Sequence, residues 1–244
     1  MSEFKNKIAV VTGGTGGLGR VIVNRFAEEG MKIYVPTQTI DKFREMFDSS
    51  KSDESKEFKL RKIYGLQCDA MNEESVKNFI SDVLKADGKI DYLVNTVGGF
   101  HKKTDIIDMD SSVVDKMLDL NFKSTFYFCK NVLKGMIEQN SGRITAISAM
   151  PALEISAGRL AYSVSKSAVI NLIQTISEET KENNITANVI IPSIIDTMPN
   201  RESMPKADFG KWVKPEEIAE TILFLLSGKA GSYRGSVIKM YGGV

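Results

Sequence analysis

Ile8-Ala-Val-Val-Thr-Gly-Gly-Thr-Gly-Gly-Leu-Gly19 is the stretch that decides the fold. It opens with a short apolar run over residues 8–11, which is typical of a strand buried on both faces. The glycines follow directly, and residues 18–29 have the pattern of a helix that ends at Gly30. A glycine-rich turn between a strand and a helix is the setting of a dinucleotide-binding fingerprint; an ordinary glycine turn is the simpler alternative.

The glycines of this turn suit an approach by phosphate. Gly13 and Gly17 can adopt backbone angles closed to other residues, and the missing Cβ lets phosphate oxygens come close. The helix that begins near Gly17 offers free N–H groups and the positive end of its dipole. Gly14, Gly16 and Gly19 also fit G-x-G-x-x-G, so the spacing alone leaves the register open.

Strand and helix patterns alternate along the rest of the chain. Pro36 is expected to stop the second strand, Asn72 is a candidate N-cap, and the charged residues 49–59 are expected to form a surface loop. Strands are predicted at 8–11, 32–35, 60–68, 90–95, 143–148, 185–191 and 236–240, and helices at 18–29, 75–85, 111–139, 161–182 and from Pro215. The alternation predicts an α/β fold: a single doubly wound Rossmann domain over residues 1–244, with about seven parallel strands flanked by helices on both faces.

Composition excludes several classes of partner. The 244 residues are 42% apolar and carry a net charge of +1, so bulk electrostatics gives no reason to expect nucleic acid or membrane as a partner. No apolar run is long enough for a spanning helix, and the first residues lack a signal pattern. Cys68 and Cys129 are expected to be reduced thiols, and the single His101 a polar loop residue without a metal. We therefore expect a cytoplasmic protein that acts on a small molecule.

Tyr162-Ser-Val-Ser-Lys166 is the second informative stretch. Positions i and i+4 lie on one helix face, so Lys166 can stand near Tyr162. A neighbouring ammonium favours the phenolate and is expected to lower the tyrosine pKa from about 10 toward working pH. Tyr162 could then exchange a proton with a substrate during hydride transfer. A surface pair on a helix is the alternative for an isolated match.

The end of the second strand bears on coenzyme choice. An acid there binds the ribose 2′-hydroxyl, and its absence admits a 2′-phosphate. The tail here is Val35-Pro-Thr-Gln38, with neither an acid nor a nearby arginine. The sequence therefore favours NADPH slightly over NADH. Lys42 and Arg44 follow, and we expect both on a solvated helix face.

Taken in order, these motifs resemble the short-chain dehydrogenase/reductase family along the whole chain. The glycine stretch resembles its phosphate loop, and Tyr162 with Lys166 resembles its Tyr-x-x-x-Lys pair. Asp69 matches the family's acid after the third strand, and Asn95-Thr-Val-Gly98 resembles its Asn-Asn-Ala-Gly strand end. Asn121 lies in the long helix where the family has its asparagine. Pro192-Ser193 stands in place of its Pro-Gly, and Ile195 and Thr197 follow at the positions of nicotinamide contacts.

The resemblance implies an NAD(P)H-dependent oxidoreductase. It makes Tyr162 the proton donor, lets Lys166 also hold the nicotinamide ribose, and lets Asn121 hold a water in the proton relay. The coenzyme-binding residues that it implies are Gly13, Thr15, Gly17, Leu18, Gly19, Thr37, Asp69, Asn95, Val97, Gly98, Lys166, Pro192, Ile195 and Thr197. It also implies a homodimer or homotetramer paired through the two long helices, whose apolar candidates are Phe122, Phe126, Val169 and Ile173.

One position departs from the family pattern. Ala149 stands where the family has its catalytic serine. Ser148 is adjacent and could serve only if the following loop carried an extra residue, since neighbouring strand residues point to opposite faces. Loss of that hydrogen bond would weaken carbonyl polarisation by an amount on the order of 3 kcal/mol. An electron-poor substrate would need this help less.

The dihydropteridine reductase branch is similar in two respects: it too has alanine at this position, and residues 196–212 resemble its segment after the sixth strand. This likeness implies a substrate lid near 193–214 and a quinonoid dihydropterin or similar flat conjugated acceptor. Two alternatives remain open. One is a ketoreductase such as a 3-oxoacyl-carrier-protein reductase; the other is a coenzyme-binding sensor with little turnover.

The sequence also suggests contacts within the predicted lid and one wall of the pocket. Phe209 and Trp212 are expected to pack against the sheet rather than stack on a flat ring, and Arg201 with Asp208 is a candidate ion pair. An apolar pocket wall is expected from Met150, Leu153 and Ile155.

Overall fold

The computed structural model describes residues 2–47 and 62–244. One parallel sheet lies at the centre, with strand order β3-β2-β1-β4-β5-β6-β7. The strands are β1 Ile8–Thr12, β2 Lys32–Thr37, β3 Lys62–Gln67, β4 Tyr92–Asn95, β5 Gly142–Ile147, β6 Ile185–Pro192 and β7 Val237–Met240. The predicted doubly wound α/β fold is confirmed. The predicted loop at 49–59, and residues 60 and 61 of the predicted third strand, lie outside the described residues.

Helices cover the sheet from both sides. The α-helices are α1 Gly17–Glu28, α2 Ile40–Phe47, α3 Glu73–Asp87, α4 Ser111–Met117, α5 Ser124–Glu138, α6 Leu160–Glu179, α7 Met198–Ser203 and α8 Pro215–Leu226. Alternate strand residues feed two separate cores. Val10 faces the core shared with α3, α5 and α6, whereas Val11 faces the core shared with α1, α2 and α8. This alternation is why residues 8–11 of β1 are apolar at every position.

Helix α3 has the start and end that its sequence indicates. The Asn72 side chain accepts a hydrogen bond from the Ser75 backbone N–H at 2.9 Å, which is an N-cap. Gly88 ends the helix in the left-handed conformation at φ 73°. Glu73 and Glu74 lie in the first turn, where the helix dipole favours acids.

Pro36 does not stop β2, contrary to the sequence prediction. The strand continues to Thr37, which pairs with Gln67 of β3. Because the Thr37 carbonyl accepts from Cys68 on the β3 side, the preceding Pro36 faces β1. The β1 ladder has already ended at Tyr34. The missing proline N–H therefore costs no ladder hydrogen bond.

The helix predicted at 111–139 is interrupted. Between α4 and α5 the chain forms one π-helical segment, Leu118–Lys123. A π-helix adds a residue to a turn and changes the directions of the side chains around it, and such segments often lie at functional sites. Asn121 lies in this segment and is fully buried.

The strand order reverses direction between β1 and β4. The chain winds from β1 outward to β3, then crosses back to place β4 on the other side of β1. A crevice opens at the carboxyl edge of a sheet at such a switch point, and ligands of open α/β sheets bind there. Thr12 ends β1 and pairs with Asn95, which ends β4. The glycine turn after β1 and the loop after β4 therefore both start at this crevice.

Candidate active site

The glycine turn after β1 forms a cradle of bare backbone. Gly13 has φ +66°, a left-handed angle that glycine adopts without strain. A Cβ on Gly19 would lie 2.1 Å from the Gly13 carbonyl oxygen, so the turn closes only with glycine there. Helix α1 begins at Gly17, and its N-cap Gly16 makes no side-chain capping bond. Free N–H groups at a helix start suit a phosphate.

The turn is tied to the end of β4. The Thr12 hydroxyl oxygen accepts hydrogen bonds from the backbone N–H of Thr96 at 3.1 Å and of Val97 at 3.4 Å. The Thr96 hydroxyl donates to the Thr12 carbonyl at 2.6 Å. These bonds fix the Gly98 loop beside the glycine turn. Thr15, Gly17 and Leu18 lie in or beside that turn, and Leu18 lines the cavity described below.

The ends of β2 and β3 form the outer part of the site. Thr37 is buried at the end of β2 and donates to the Thr39 carbonyl at 3.1 Å. Asp69 follows β3 and accepts from the Gln38 side chain at 2.9 Å and from the Met71 N–H at 3.0 Å. Lys42 and Arg44 are exposed on α2, as expected. Thr37 and Asp69 therefore lie at the same carboxyl edge of the sheet as the glycine turn.

Tyr162 and Lys166 line one cavity of about 630 Å³ at this edge. The cavity is also lined by four other predicted coenzyme-binding residues: Leu18, Gly98, Pro192 and Ile195. Thr197 lies beside Gly17, since a Cβ on Gly17 would be 2.9 Å from the Thr197 methyl group. Helix α6 thus brings the phenol and the ammonium to the crevice below the glycine turn.

Lys166 is almost fully buried and has no carboxylate partner among the residues that the structure describes. Its side chain is 5% exposed, and Nζ donates to the Ile147 carbonyl at 3.0 Å. Burial lowers its pKa from 10.5 to about 8. A Cβ on Gly98 would lie 2.9 Å from Nζ and 2.7 Å from Asn121 Oδ1. The loop after β4 therefore closes over both polar groups.

The expected lowering of the Tyr162 pKa is wrong for the protein alone. Burial raises the pKa of Tyr162 to about 12, and the nearby Arg159 charge opposes this without reversing it. Lys166 does not lower it, since its ammonium is itself desolvated and is hydrogen-bonded to Ile147. Tyr162 is thus held as a neutral phenol, the form that donates a proton.

Asn121 is locked at the bottom of the site. Its Oδ1 accepts from the Gly99 N–H at 2.9 Å, and its Nδ2 donates to the Gly99 carbonyl and to Ser165 Oγ, both at 3.0 Å. The side chain is fully buried. Asn121 therefore joins the Gly98–Gly99 loop to α6 at Ser165, the residue that precedes Lys166.

The Ser148 hydroxyl is engaged with the backbone of α6. It donates to the Lys166 carbonyl at 2.9 Å, and the residue is buried. Ala149 lines the cavity beside it. The other cavity hydroxyls of Thr96, Ser193 and Ser203 also donate to backbone carbonyls. Tyr162 and Ser156 are the cavity hydroxyls that make no hydrogen bond with another described residue.

Asn95 does not reach the cavity with its side chain. It is 2% exposed, and its Nδ2 lies 3.5 Å from the sulfur of Cys129 in the core. Burial raises the pKa of Cys129 to about 12 and of Cys68 to about 11. Both thiols are therefore neutral and unreactive in the interior.

The segment 193–214 contributes to the cavity wall. Ser193, Ile194, Ile195, Asn200, Ser203 and Met204 line the cavity from this segment. Arg201 pairs with Asp196 through two bonds of 2.5 and 2.7 Å, so the expected pairing with Asp208 is wrong. Asp208 instead accepts from the Gly210 N–H.

The two aromatic residues of this segment pack on each other outside the cavity. Trp212 is 5% exposed, its ring lies 4.8 Å from that of Phe209, and neither lines the cavity. Of the three expected wall residues, Met150 lines the cavity. Leu153 and Ile155 are exposed outside it.

Several cavity residues were not found from the sequence. Phe100, Lys103 and Arg159 lie in loops without periodicity, and only the folding of two distant loops brings them to one wall. Within residues 2–47 and 62–244, no helix is long and apolar enough to cross a membrane.

Comparison with known proteins defines the family. The short chain dehydrogenase model matches residues 7–208, and the chain belongs to the short-chain dehydrogenase family. It is 30% identical to the 7alpha-hydroxysteroid dehydrogenase of Bacteroides fragilis, covering 100% of this chain and 96% of that protein. It is 26% identical to the 3-oxoacyl-[acyl-carrier-protein] reductase FabG of Aquifex aeolicus, covering 99% and 98%. The solved structure of gox2181 has a TM-score of 0.89 at 26% identity, covering 98% of this chain and 95% of that one.

The chain is therefore an NAD(P)-dependent oxidoreductase. The names of these three relatives do not include a dihydropteridine reductase. The glycine turn fits the coenzyme of this family, because the backbone at Gly13 and Gly19 is bare. A Cβ at either position would collide with neighbouring atoms of the turn or of the loop after β4. Two of the three relatives have names that describe the interconversion of a carbonyl and a hydroxyl group.

Proposed function

We propose that this protein interconverts a carbonyl and a hydroxyl group with NAD(P)(H), and that Tyr162 exchanges the proton. The observation that carries the proposal is the Tyr162 hydroxyl. It lies in a cavity with Lys166 and makes no hydrogen bond with a described residue, so it is free to donate to a substrate oxygen. The names of the 7alpha-hydroxysteroid dehydrogenase and FabG relatives support this reaction class.

The residues of this chain divide the work. The glycine turn and the start of α1 would hold the pyrophosphate, and Thr37 with Asp69 would hold the adenosine part. Gly98, Pro192, Ile195 and Thr197 would hold the nicotinamide half, which supplies or accepts a hydride when bound. Val97 would contact the coenzyme through its backbone, and so would Asn95, whose side chain is buried.

Proton handling falls to three side chains. Tyr162 is kept neutral by burial, so it can donate to an alkoxide oxygen as that charge develops. Lys166, with a pKa near 8, can hold or release a proton close to neutral pH. Asn121 orders the loop beside Lys166, and we assign it a role in positioning a water for proton return.

A tyrosine variant tests the proposal. Tyr162→Phe should lower kcat by about 10²- to 10⁴-fold, the range for loss of a general acid, and leave coenzyme binding intact. The matched control is Tyr233→Phe, whose hydroxyl lies on the surface and makes no hydrogen bond with a described residue. Coenzyme oxidation is followed with ketones and a 3-oxoacyl thioester, and coenzyme affinity by fluorescence. Full turnover by Tyr162→Phe would refute the role.

A second candidate is an electron-poor acceptor such as a quinonoid dihydropterin. Ala149 favours it, because the cavity lacks the serine that polarises a carbonyl, and Ser148 is committed to the Lys166 carbonyl. Adding quinonoid dihydropterin and simple quinones to the same assay separates the two. Turnover of these acceptors alone would replace the first proposal, and tight coenzyme binding without any turnover would favour a sensor.

Three finer assignments complete the proposal. We favour NADPH over NADH, because Thr37 stands where an acid would repel the 2′-phosphate. We propose a homodimer or homotetramer formed through α5 and α6, where an apolar groove includes Phe126, Leu133, Ile137 and Leu172. Reduced thiols at Cys68 and Cys129 suit the cytoplasm.

A further inference from the structure

The charged residues of the catalytic cavity are all basic. Lys103, Arg159 and Lys166 line it together with Tyr162. Neither Asp nor Glu occurs among the described residues that line this cavity. A protein with almost equal numbers of acids and bases thus gathers only bases around its reaction site.

Arg159 is held in place by backbone contacts. Its Nη1 donates to the His101 carbonyl at 3.2 Å, and the neighbouring loops are joined by a bond from the Thr104 N–H to the Gly158 carbonyl at 3.0 Å. Arg159 directly precedes α6, which carries Tyr162. The position of the guanidinium relative to the phenol is therefore fixed by the fold.

Arg159 has no counter-charge within residues 2–47 and 62–244. It is partly buried, yet it forms no ion pair with a carboxylate in these ranges. Its remaining N–H groups point to no described acceptor. A partly desolvated charge is normally paired, because burial without a partner is unfavourable. The unused donors of Arg159 therefore indicate an anion that the ligand supplies.

Nearby acids do not satisfy Arg159. Asp105, Asp108 and Asp110 line a separate surface depression with Lys102. Lys103 contacts both that depression and the catalytic cavity. Lys103 therefore lies near those acids as well, whereas Arg159 lines the catalytic cavity and not that depression. This makes Arg159 the main anchor and Lys103 a secondary one.

The rest of the wall is apolar. Phe100, Met150, Pro151, Ile194 and Met204 line the same cavity as the two bases. A ligand with an apolar body and one anionic end would match both surfaces. A guanidinium binds a carboxylate through two parallel bonds, which fixes the direction of the bound molecule as well as its affinity.

We propose that the substrate is an oxo acid or the corresponding hydroxy acid, whose carboxylate binds Arg159 while its reacting carbon lies at Tyr162. This inference rests on the proposed function for the reaction and adds the substrate class. Arg159 is then a specificity-determining residue. Lys103 strengthens the local positive potential without touching the reacting atoms.

The test compares acids with their methyl esters. Wild type, Arg159→Gln and Arg159→Lys are assayed with 5-oxohexanoate, 6-oxoheptanoate, 7-oxooctanoate and each methyl ester. The matched control is Lys102→Gln, which removes one positive charge from the same surface outside the catalytic cavity. The acid-to-ester ratio of kcat/KM cancels any effect of Arg159 on Tyr162, because both substrates use the same phenol.

Wild type should prefer at least one acid over its ester. Arg159→Gln should lower that ratio about 10- to 100-fold, the range expected for hydrogen bonds to a charged group, and Arg159→Lys should restore part of it. Lys102→Gln should leave the ratio unchanged. Equal losses for acid and ester would make Arg159 a structural residue and overturn the proposal, and so would a wild type that prefers every ester.

Direct binding separates this inference from the reaction itself. Hexanoate and its neutral isostere hexanamide are titrated by calorimetry into the coenzyme-loaded protein. Hexanoate should bind more tightly in wild type, and the difference should disappear in Arg159→Gln. If no carbonyl compound turns over but this difference is present, the proposed reaction fails and the anion subsite stands. If oxo compounds turn over but the difference is absent, the subsite fails alone.

Discussion

Replacing Lys166 by methionine should stabilise the coenzyme-free protein while removing its activity. The lysine is 5% exposed and has no carboxylate partner within the described ranges, and its ammonium contacts the Ile147 carbonyl. Methionine has a similar length and no charge to desolvate. The substitution therefore removes an ammonium group that the proposed reaction uses and whose burial opposes folding.

The size of the effect follows from the pKa of Lys166. Its fall from 10.5 to about 8 corresponds to a destabilisation of about 3 kcal/mol while the side chain is charged. Losing the bond to the Ile147 carbonyl costs about 1 kcal/mol in return. The expected net gain is therefore about 2 kcal/mol, or about 4–8 °C in Tm for a chain of this size.

The gain should depend on pH with a defined sign. Below about pH 8 the lysine is charged in both the folded and unfolded states, so the whole penalty is present. Between pH 8 and pH 10.5 the folded protein loses this proton while the unfolded chain keeps it, so wild-type stability rises relative to the variant. The advantage of methionine should therefore shrink across this range.

Urea unfolding at a series of pH values measures the effect. Lys229→Met is the matched control, because Lys229 is exposed and its loss should change stability little. The raised pKa of Tyr162 affects wild type and variant alike and cancels in the difference. A variant that is less stable than wild type at neutral pH, or whose gain is constant up to pH 10.5, would refute the assignment of a desolvated ammonium.

Two further predictions concern the coenzyme cradle. Gly19→Ala should weaken coenzyme binding at least tenfold and destabilise the fold by about 1–3 kcal/mol, because its Cβ would lie 2.1 Å from the Gly13 carbonyl. The control is Gly135→Ala in α5, where the added Cβ would meet no atom within 4 Å; this change should stabilise the fold by about 0.5–1 kcal/mol. Equal effects of the two substitutions in thermal unfolding would contradict this reasoning. Thr37→Asp should lower the NADPH-to-NADH ratio of kcat/KM about tenfold or more, and an unchanged ratio would place the 2′-phosphate elsewhere.

Much of the architecture could be predicted because it depends on local patterns. The apolar run at residues 8–11, the glycine turn and the helix after it are contiguous, and each has its own periodicity. The i,i+4 spacing of Tyr162 and Lys166 likewise needs only a helix to bring them together. Asn72 as an N-cap follows from the side chain and the next turn alone.

Other features depended on which distant segments meet. Val169 and Ile173 were candidates for a subunit contact, but both are fully buried in the chain's own core. Phe122 and Phe126 stack on each other and are only partly buried. A helical pattern shows that a face is apolar, but it does not show what covers that face.

The sequence by itself determined the succession of the seven strands, the glycine turn after β1 and the one-turn spacing of Tyr162 and Lys166, because hydrogen-bonding periods and turn geometry act over a few neighbouring residues. Only the tertiary structure decided the direction of the Tyr162 pKa, the partner of Arg201 and the place of Arg159 on the cavity wall. Desolvation and ion pairing depend on groups that are far apart in sequence and become neighbours only when the sheet and its loops assemble.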